Sequence, residues 1–191
     1  MAFAIIAFDG PDPSRRAAAR DRHIASIAAM AREGSLLLGL PLHTEAGRSL
    51  GSLMIIAARD QAGVDAYLAR EPFAVDGVWR DIACRPLRIP ALPWRPWPEA
   101  DAPMPPGRGH TILLVTGEAD PGRFDAMAAA GRLAFAAETL DAPGAVLVTT
   151  HRDHAAAQAW MAADPLLCRA TVALHATQFR PLPYRPLPGT G

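Results

Sequence analysis

The chain says nearly the same thing twice. Residues 5–15 read IIAFDGPDPSR and residues 113–123 read LLVTGEADPGR: an apolar run, a turn, then Asp-Pro-x-Arg. Residues 51–73 read GSLMIIAARDQAGVDAYLAREPF and residues 144–166 read GAVLVTTHRDHAAAQAWMAADPL, without a gap. In both, Arg-Asp opens the second part and an acid followed by proline closes it. A repeat of this length implies two like folding units of roughly 90 residues each, an ordinary size for a small domain. The copies differ at one telling place. The first carries His23 in a helical stretch, and the second has Asp120 or Gly131 where that histidine would align.

Within the first copy, the apolar run 2–8 before Asp9-Gly10-Pro11 reads as a buried strand and a turn. Asp12-Pro13 supplies an N-cap and a first-turn proline, and Gly34 stops the alanine-rich helix that follows. Segments 35–42 and 50–58 are strands about a polar turn, hence a hairpin. Asp60 caps a second helix, in which Val64, Tyr67 and Leu68 fall at i, i+3 and i+4. Glu71-Pro72 ends it, because proline disfavours helix in the residue before it. A last strand covers 77–87. The order β-α-β-β-α-β is the ferredoxin-like arrangement. Such a sheet carries helices on one face only, so its other face needs a cover. The second copy supplies one, and the expected fold class is α+β, with two ferredoxin-like βαββαβ domains packed sheet to sheet.

The second copy is clear at its ends, with strands at 110–116 and 171–179, and with Ala157, Trp160 and Met161 in the places of Val64, Tyr67 and Leu68. Its middle has two readings. Either Gly131 ends a helix shortened by about three turns, at 3.6 residues per turn, and 132–140 is a strand; or the helix runs on through 121–139 and one strand is missing. The first keeps four strands. The expected organisation is a domain at 1–89, a linker at 90–109 with seven prolines, a second domain at 110–182, and a poorly ordered Pro-rich tail at 183–191. Trp94 and Trp97 are expected to pin the linker to a domain surface.

Composition narrows function by exclusion. Half of the residues are hydrophobic, enough for a packed core. Nineteen basic residues balance nineteen acidic ones, which argues against a nucleic-acid partner. Aromatic residues make up 6%, too few for a base-stacking platform. The apolar run at the start is too short to span a bilayer and lacks a basic leader region. Cys84 and Cys168 suggest no disulfide framework, so a cytoplasmic setting is expected.

Several segments together resemble the YciI-like family of YCII-related domains: FDGPD at 8–12, the arginine-rich run to His23 at 15–23, REGSLLLGLPL at 32–42, Gly51-Ser52, and EPF followed by Gly-Val-Trp at 71–79. The resemblance covers nearly all of the first half and, more weakly, 113–123 and 144–166. It implies a ferredoxin-like fold that pairs sheet to sheet as a dimeric α+β barrel, formed here within one chain, with a further homodimer left open. It also implies an active site made of a His and an acid in a cleft. One relative is a dehydrochlorinase acting on chlorinated hydroxyquinols, and muconolactone isomerase is a structural analogue. Carried over, the histidine is His23, and the acid is Glu71 in the first half and Asp164 in the second. The first half thus departs from Asp to Glu, and the second lacks the histidine.

Arg16, Arg20, His23 and Ile27 follow i, i+4, i+7 and i+11 and share a helical face. Neutral imidazole is what a general base needs, and a carboxylate can orient it. Guanidinium forks suit a carboxylate or phenolate. The candidate site is therefore His23, Glu71 and Asp164 for catalysis, with Arg16, Arg20, Asp9 and Ser52 for a small anionic molecule. Its chemistry would be lyase- or isomerase-like. The plainer reading makes the arginines a solvated face, the acids turn residues before proline, Asp9 an acceptor of turn N–H groups, and the protein a non-catalytic module binding a small molecule or a partner. His151-Arg-Asp-His154 and the strand pair His110 and His175 lack a full metal-ligand set. No Walker loop or GxGxxG is present. No metal or cofactor is expected.

Overall fold

The computed structural model describes residues 1–92, 97–104, 107, 109–118 and 120–187. The first half runs β1 (Ala2–Asp9), α1 (Pro13–Glu33), β2 (Leu36–His43), β3 (Ser49–Ala57), α2 (Gln61–Leu68), α3 (Pro72–Val75) and β4 (Trp79–Arg88). The second runs β5 (His110–Thr116), a 3-10 turn at Pro121–Arg123, α4 (Phe124–Ala129), β6 (Leu133–Thr139), β7 (Gly144–Thr149), α5 (His154–Ala163), a 3-10 turn at Leu167–Arg169 and β8 (Thr171–Thr177). All eight strands join one closed antiparallel barrel in the order β1-β3-β2-β8-β5-β7-β6-β4.

Alternation along β1 explains why so short an apolar run is buried on both faces. Ala2 and Ala4 belong to the cluster that fills the barrel, with Leu38, Leu40, Leu53 and Ile55 from neighbouring strands and Ile112 and Phe135 from the second half. Phe3, Ile5 and Ala7 point the other way, into a second cluster under α1 with Ile27 and Met30. The two halves meet through few backbone pairs. β2 meets β8 at His43 and Ala176, and β4 meets β6 at Leu87–Thr139 and Arg88–Glu138. Thr177 adds a hydrogen bond to the Pro41 carbonyl at 2.7 Å. The shared apolar interior therefore holds the halves together, at about 1.5–3 kcal/mol for each large side chain fully buried.

Local chemistry sets the helices. The Asp12 side chain accepts from Ser14 N–H at 3.0 Å, Pro13 opens α1, and Gly34 ends it in the left-handed conformation at φ 84°. The buried stripe of α1 is Ala19, His23, Ile27, Met30 and Ala31. His23 thus occupies a core-facing position. In the second half α4 has six residues against twenty-one in α1. Gly131, at φ 69°, follows it, and residues 133–139 form a strand. The first of the two readings for this segment is the one adopted, because the strand is needed to close the barrel edge against β4.

Two features of the chain depart from expectation. α3 appears where only the end of a helix was foreseen, since Pro72 is well placed to open a new turn. The Pro-rich end, at 181–187, is packed and not loose. Leu182 and Leu187 are buried. The Tyr184 hydroxyl accepts from Gly39 N–H at 3.1 Å, and Arg185 donates to the Arg32 carbonyl at 2.9 Å. Proline keeps this stretch out of the sheet, yet its apolar side chains still find a groove on the first half. Trp97 stacks on Phe179 with ring centroids 4.9 Å apart. Trp94 and residues 188–191 lie outside the described residues. Among the described residues no helix is long and apolar enough to cross a membrane.

Candidate functional site

A cavity of about 260 Å³ lies between α1 and the helix-facing side of β2 and β3. Gly39 and Pro41 of β2 and Ser52 and Met54 of β3 line it from the sheet. Arg16, Arg20, His23 and Ile27 line it from α1, Phe73 from α3, and Gln178 and Arg180 from the segment after β8. It sits beside the barrel and not inside it.

His23 is 5% exposed. Its ring stacks on Phe73 with centroids 3.9 Å apart, and Trp79 meets it edge-on at 6.1 Å. Its Nδ1 lies 2.6 Å from Glu71 Oε1. Glu71 is fully buried and has two further donors: Phe73 N–H to Oε1 at 3.0 Å and the Tyr67 hydroxyl to Oε2 at 3.1 Å. Burial, and then the negative charge of Glu71, push the Tyr67 hydroxyl well above its ordinary pKa, so it stays a donor. Opposite this acceptor, the ring proton belongs on Nδ1, and Nε2 is left for the cavity. A general base oriented by an acid would have this arrangement. The backbone explains the placement: Glu71 caps α3, so its side chain turns inward beneath α1.

Arg16 is committed to protein partners. Its NH1 donates to both Asp9 oxygens, at 2.7 and 3.0 Å, and its NH2 reaches Ser52 Oγ at 3.2 Å. Ser49 adds a donor to Asp9 at 3.0 Å. The guanidinium carbon also lies 4.6 Å from the Phe73 ring centroid. Burial pulls Arg16 below its ordinary pKa, and Asp9 works against that. Asp9 therefore serves as a counter-ion, whereas the turn chemistry of the plainer reading would have made it a partner of backbone N–H groups. Ser52, 2% exposed, orients Arg16 at the cavity wall. Arg20 is different. Its nearest acid is Asp21 at 3.6 Å, and that side chain is 98% exposed, a contact that water screens.

Asp164 does not line this cavity. It accepts from Leu166 and Leu167 N–H, each at 3.0 Å, and pairs with Arg123 at 2.8 Å. The arginine of the second Asp-Pro-x-Arg thus meets the acid that corresponds to Glu71. Burial pushes the Asp164 carboxyl up, but the two N–H groups and Arg123 outweigh it and hold it below the ordinary aspartate value. A depressed folded-state pKa stabilises fully above the unfolded value and loses that contribution as pH falls through the folded value. Asp164→Asn is therefore expected to lower the urea midpoint at pH 7 and to flatten its decline below about pH 4, near the ordinary Asp value. An unchanged acid limb would refute this.

Some site residues were not foreseen. Tyr67 stands four residues before Glu71, a helical spacing that could have flagged it. Arg180 and Gln178 carry no local signal, since only closure of the barrel brings them to α1. Among the described residues, no group of three or more His, Cys, Asp or Glu is placed to hold a metal ion.

Comparison with known proteins bears on the first half and on the fold. Residues 1–88 match the family model of the YCII-related domain. No curated protein matches the chain. Among solved structures, a monooxygenase-like protein from Lactobacillus acidophilus NCFM is 11% identical, with 96% of each chain covered and a TM-score of 0.54. That likeness is one of fold, a mixed α/β fold of the dimeric α+β barrel type. An anthrone oxidase-like protein is 14% identical over 92% of this chain and 90% of its own, with a TM-score of 0.41. The 5-chloro-2-hydroxyhydroquinone dehydrochlorinase from Burkholderia phenoliruptrix AC1100, solved with 2,5-dihydroxybenzoquinone, is 22% identical over 45% of this chain and 92% of its own, with a TM-score of 0.40.

Proposed function

We propose that this chain, whose first half matches the YCII-related domain, acts on a small anionic molecule in a lyase- or isomerase-like reaction. His23 Nε2 abstracts a proton next to a carbonyl or phenolate carbon, and Glu71 holds the ring through Nδ1. The observation that carries this reading is the fully buried Glu71 carboxylate 2.6 Å from Nδ1, with the ring itself at the cavity wall. Among the described residues none that lines the cavity is Asp or Glu, so an anion meets no carboxylate from them there. A volume of about 260 Å³ suits a single ring or a short chain, at roughly 30 Å³ per water-sized group. Asp164 has no part in this chemistry and serves as the structural counterpart of Glu71.

In the same reading the chain is a tandem duplication of two ferredoxin-like units, 1–89 and 110–182, acting as its own pseudo-dimer. Its support is the strand order: β4-β1-β3-β2 in the first half and β8-β5-β7-β6 in the second are the same arrangement. The two unbridged cysteines fit a reducing, cytoplasmic compartment.

The test is a thermal-shift screen of small organic acids, followed by proton NMR of each hit in D2O. Wild type is expected to wash deuterium into one C–H position of a bound ligand, whereas His23→Asn binds that ligand without exchange. Exchange by both proteins would remove His23 from the role of base. Binding with no exchange by either would favour a non-catalytic binding module.

A further inference from the structure

We propose that Arg20 and Arg180 form an anion clamp at the mouth of the His23 cavity, one guanidinium from each half of the chain, which selects ligands bearing a carboxylate. This deepens the reading of the His23 site and rests on it for the position of the reacting carbon.

The argument starts from charge balance. Among the described residues, three guanidinium groups line the cavity and none of the lining residues is acidic. Arg16 is neutralised by Asp9. Arg20 has only the solvent-screened Asp21, and Arg180 makes no hydrogen bond or ion pair among the described residues. Two cations therefore share one mouth with no internal counter-ion. They also sense each other: burial, and then the charge of Arg20, pull Arg180 below its ordinary pKa, with Tyr184 opposing. Like charges held together in a partly dehydrated place raise the free energy of the empty site, and a bound anion relieves it.

The rest of the wall says what that anion is attached to. Ile24, Ile27, Met54 and Phe73 give the cavity an apolar side. An inorganic ion would leave that side unfilled. A carboxylate on a small aromatic or aliphatic body fills it, and a planar carboxylate can accept from two guanidinium forks at once. Arg20 is on α1, and Arg180 follows β8, which meets β2 through a single residue pair. The clamp therefore spans the sparser seam of the barrel, and residues 1–88 alone lack half of it.

Benzoate and its uncharged isostere benzamide are suitable probes, with calorimetric titration of the full chain. Wild type is expected to bind benzoate at least about tenfold more tightly than benzamide. Arg20→Gln and Arg180→Gln should each weaken benzoate by about tenfold or more and leave benzamide unchanged. The urea midpoint of Arg180→Gln should be no lower than that of wild type, since the substitution also removes a like-charge repulsion, which separates lost binding from lost fold. Equal affinity of wild type for the two probes would overturn the proposal, as would wild-type benzoate affinity in Arg180→Gln. A loss confined to Arg20→Gln would overturn it too. His23→Asn should keep its preference for benzoate, so failure of the proton-abstraction reading and failure of the clamp give different results.

Discussion

Glu71→Ala is expected to destabilise the protein by about 3–5 kcal/mol, the cost typical of removing one member of a buried, hydrogen-bonded polar cluster. Three donors converge on this carboxylate: His23 Nδ1, the Tyr67 hydroxyl and Phe73 N–H. Glu71 is fully buried, so water cannot simply replace it. Each donor left without a partner costs about 1–3 kcal/mol, less whatever neighbouring rearrangement recovers. The Phe73 N–H bond is also the cap of α3, so about 1 kcal/mol of that cost is the lost cap. The consequence reaches the site as well. Without the acceptor, nothing holds the His23 proton on Nδ1, and the ring that faces the cavity is no longer oriented. Urea unfolding at pH 7 measures the stability, and the NMR exchange assay measures the second effect. Glu71→Gln, which keeps the shape and one carbonyl acceptor, should fall between wild type and Glu71→Ala in both. A loss below about 1 kcal/mol for Glu71→Ala would mean that the three donors find other partners.

Gly51→Ala is expected to be as severe, for a steric reason. A Cβ at residue 51 would lie 1.9 Å from the Ala7 carbonyl oxygen and 2.9 Å from both the Ala7 carbonyl carbon and the Phe8 Cα. All three are backbone atoms, so no rotamer change relieves the overlap. Gly51 pairs with Phe8 across β3 and β1, and its carbonyl accepts from Arg16 at 3.4 Å. To admit a methyl group, the strands must part at the place where Asp9, Arg16 and Ser52 assemble. We expect a loss of about 3 kcal/mol or more, at the upper end for strain in a packed interior. The thermal midpoint and the yield of folded protein report it. A variant with a wild-type midpoint would show that the β1–β3 pair relaxes more freely than its register implies.

Much of the fold was legible in the chain because its signals are local. Asp12-Pro13 and Gly34 bracket α1, Asp60 caps α2, and the apolar runs mark the strands; each depends on neighbours a few residues away. His23 and Glu71 were legible as candidates through a family likeness, and the stripe that holds His23 through helical spacing. The role of Arg16 was not. Helical spacing put it beside His23 but gave no hint that Asp9 and Ser52 would occupy its guanidinium. Composition also misled for residues 181–187. Proline marks a segment that cannot join a sheet, but it does not say whether a groove elsewhere accepts Leu182, Tyr184 and Leu187.

The sequence by itself determined most of the elements and their ends, and the place of His23 on a long first helix that the second copy does not match, because backbone sterics, capping and apolar period act over a few residues. Only the tertiary structure decided that the strands close into one barrel, that Glu71 lies against His23 Nδ1, and that Arg180 lines the same cavity as Arg20. His23 and Glu71 are 48 positions apart in the chain, and Arg20 and Arg180 are 160 apart. Their energies depend on which faces are buried together, a property that no local window of the chain contains.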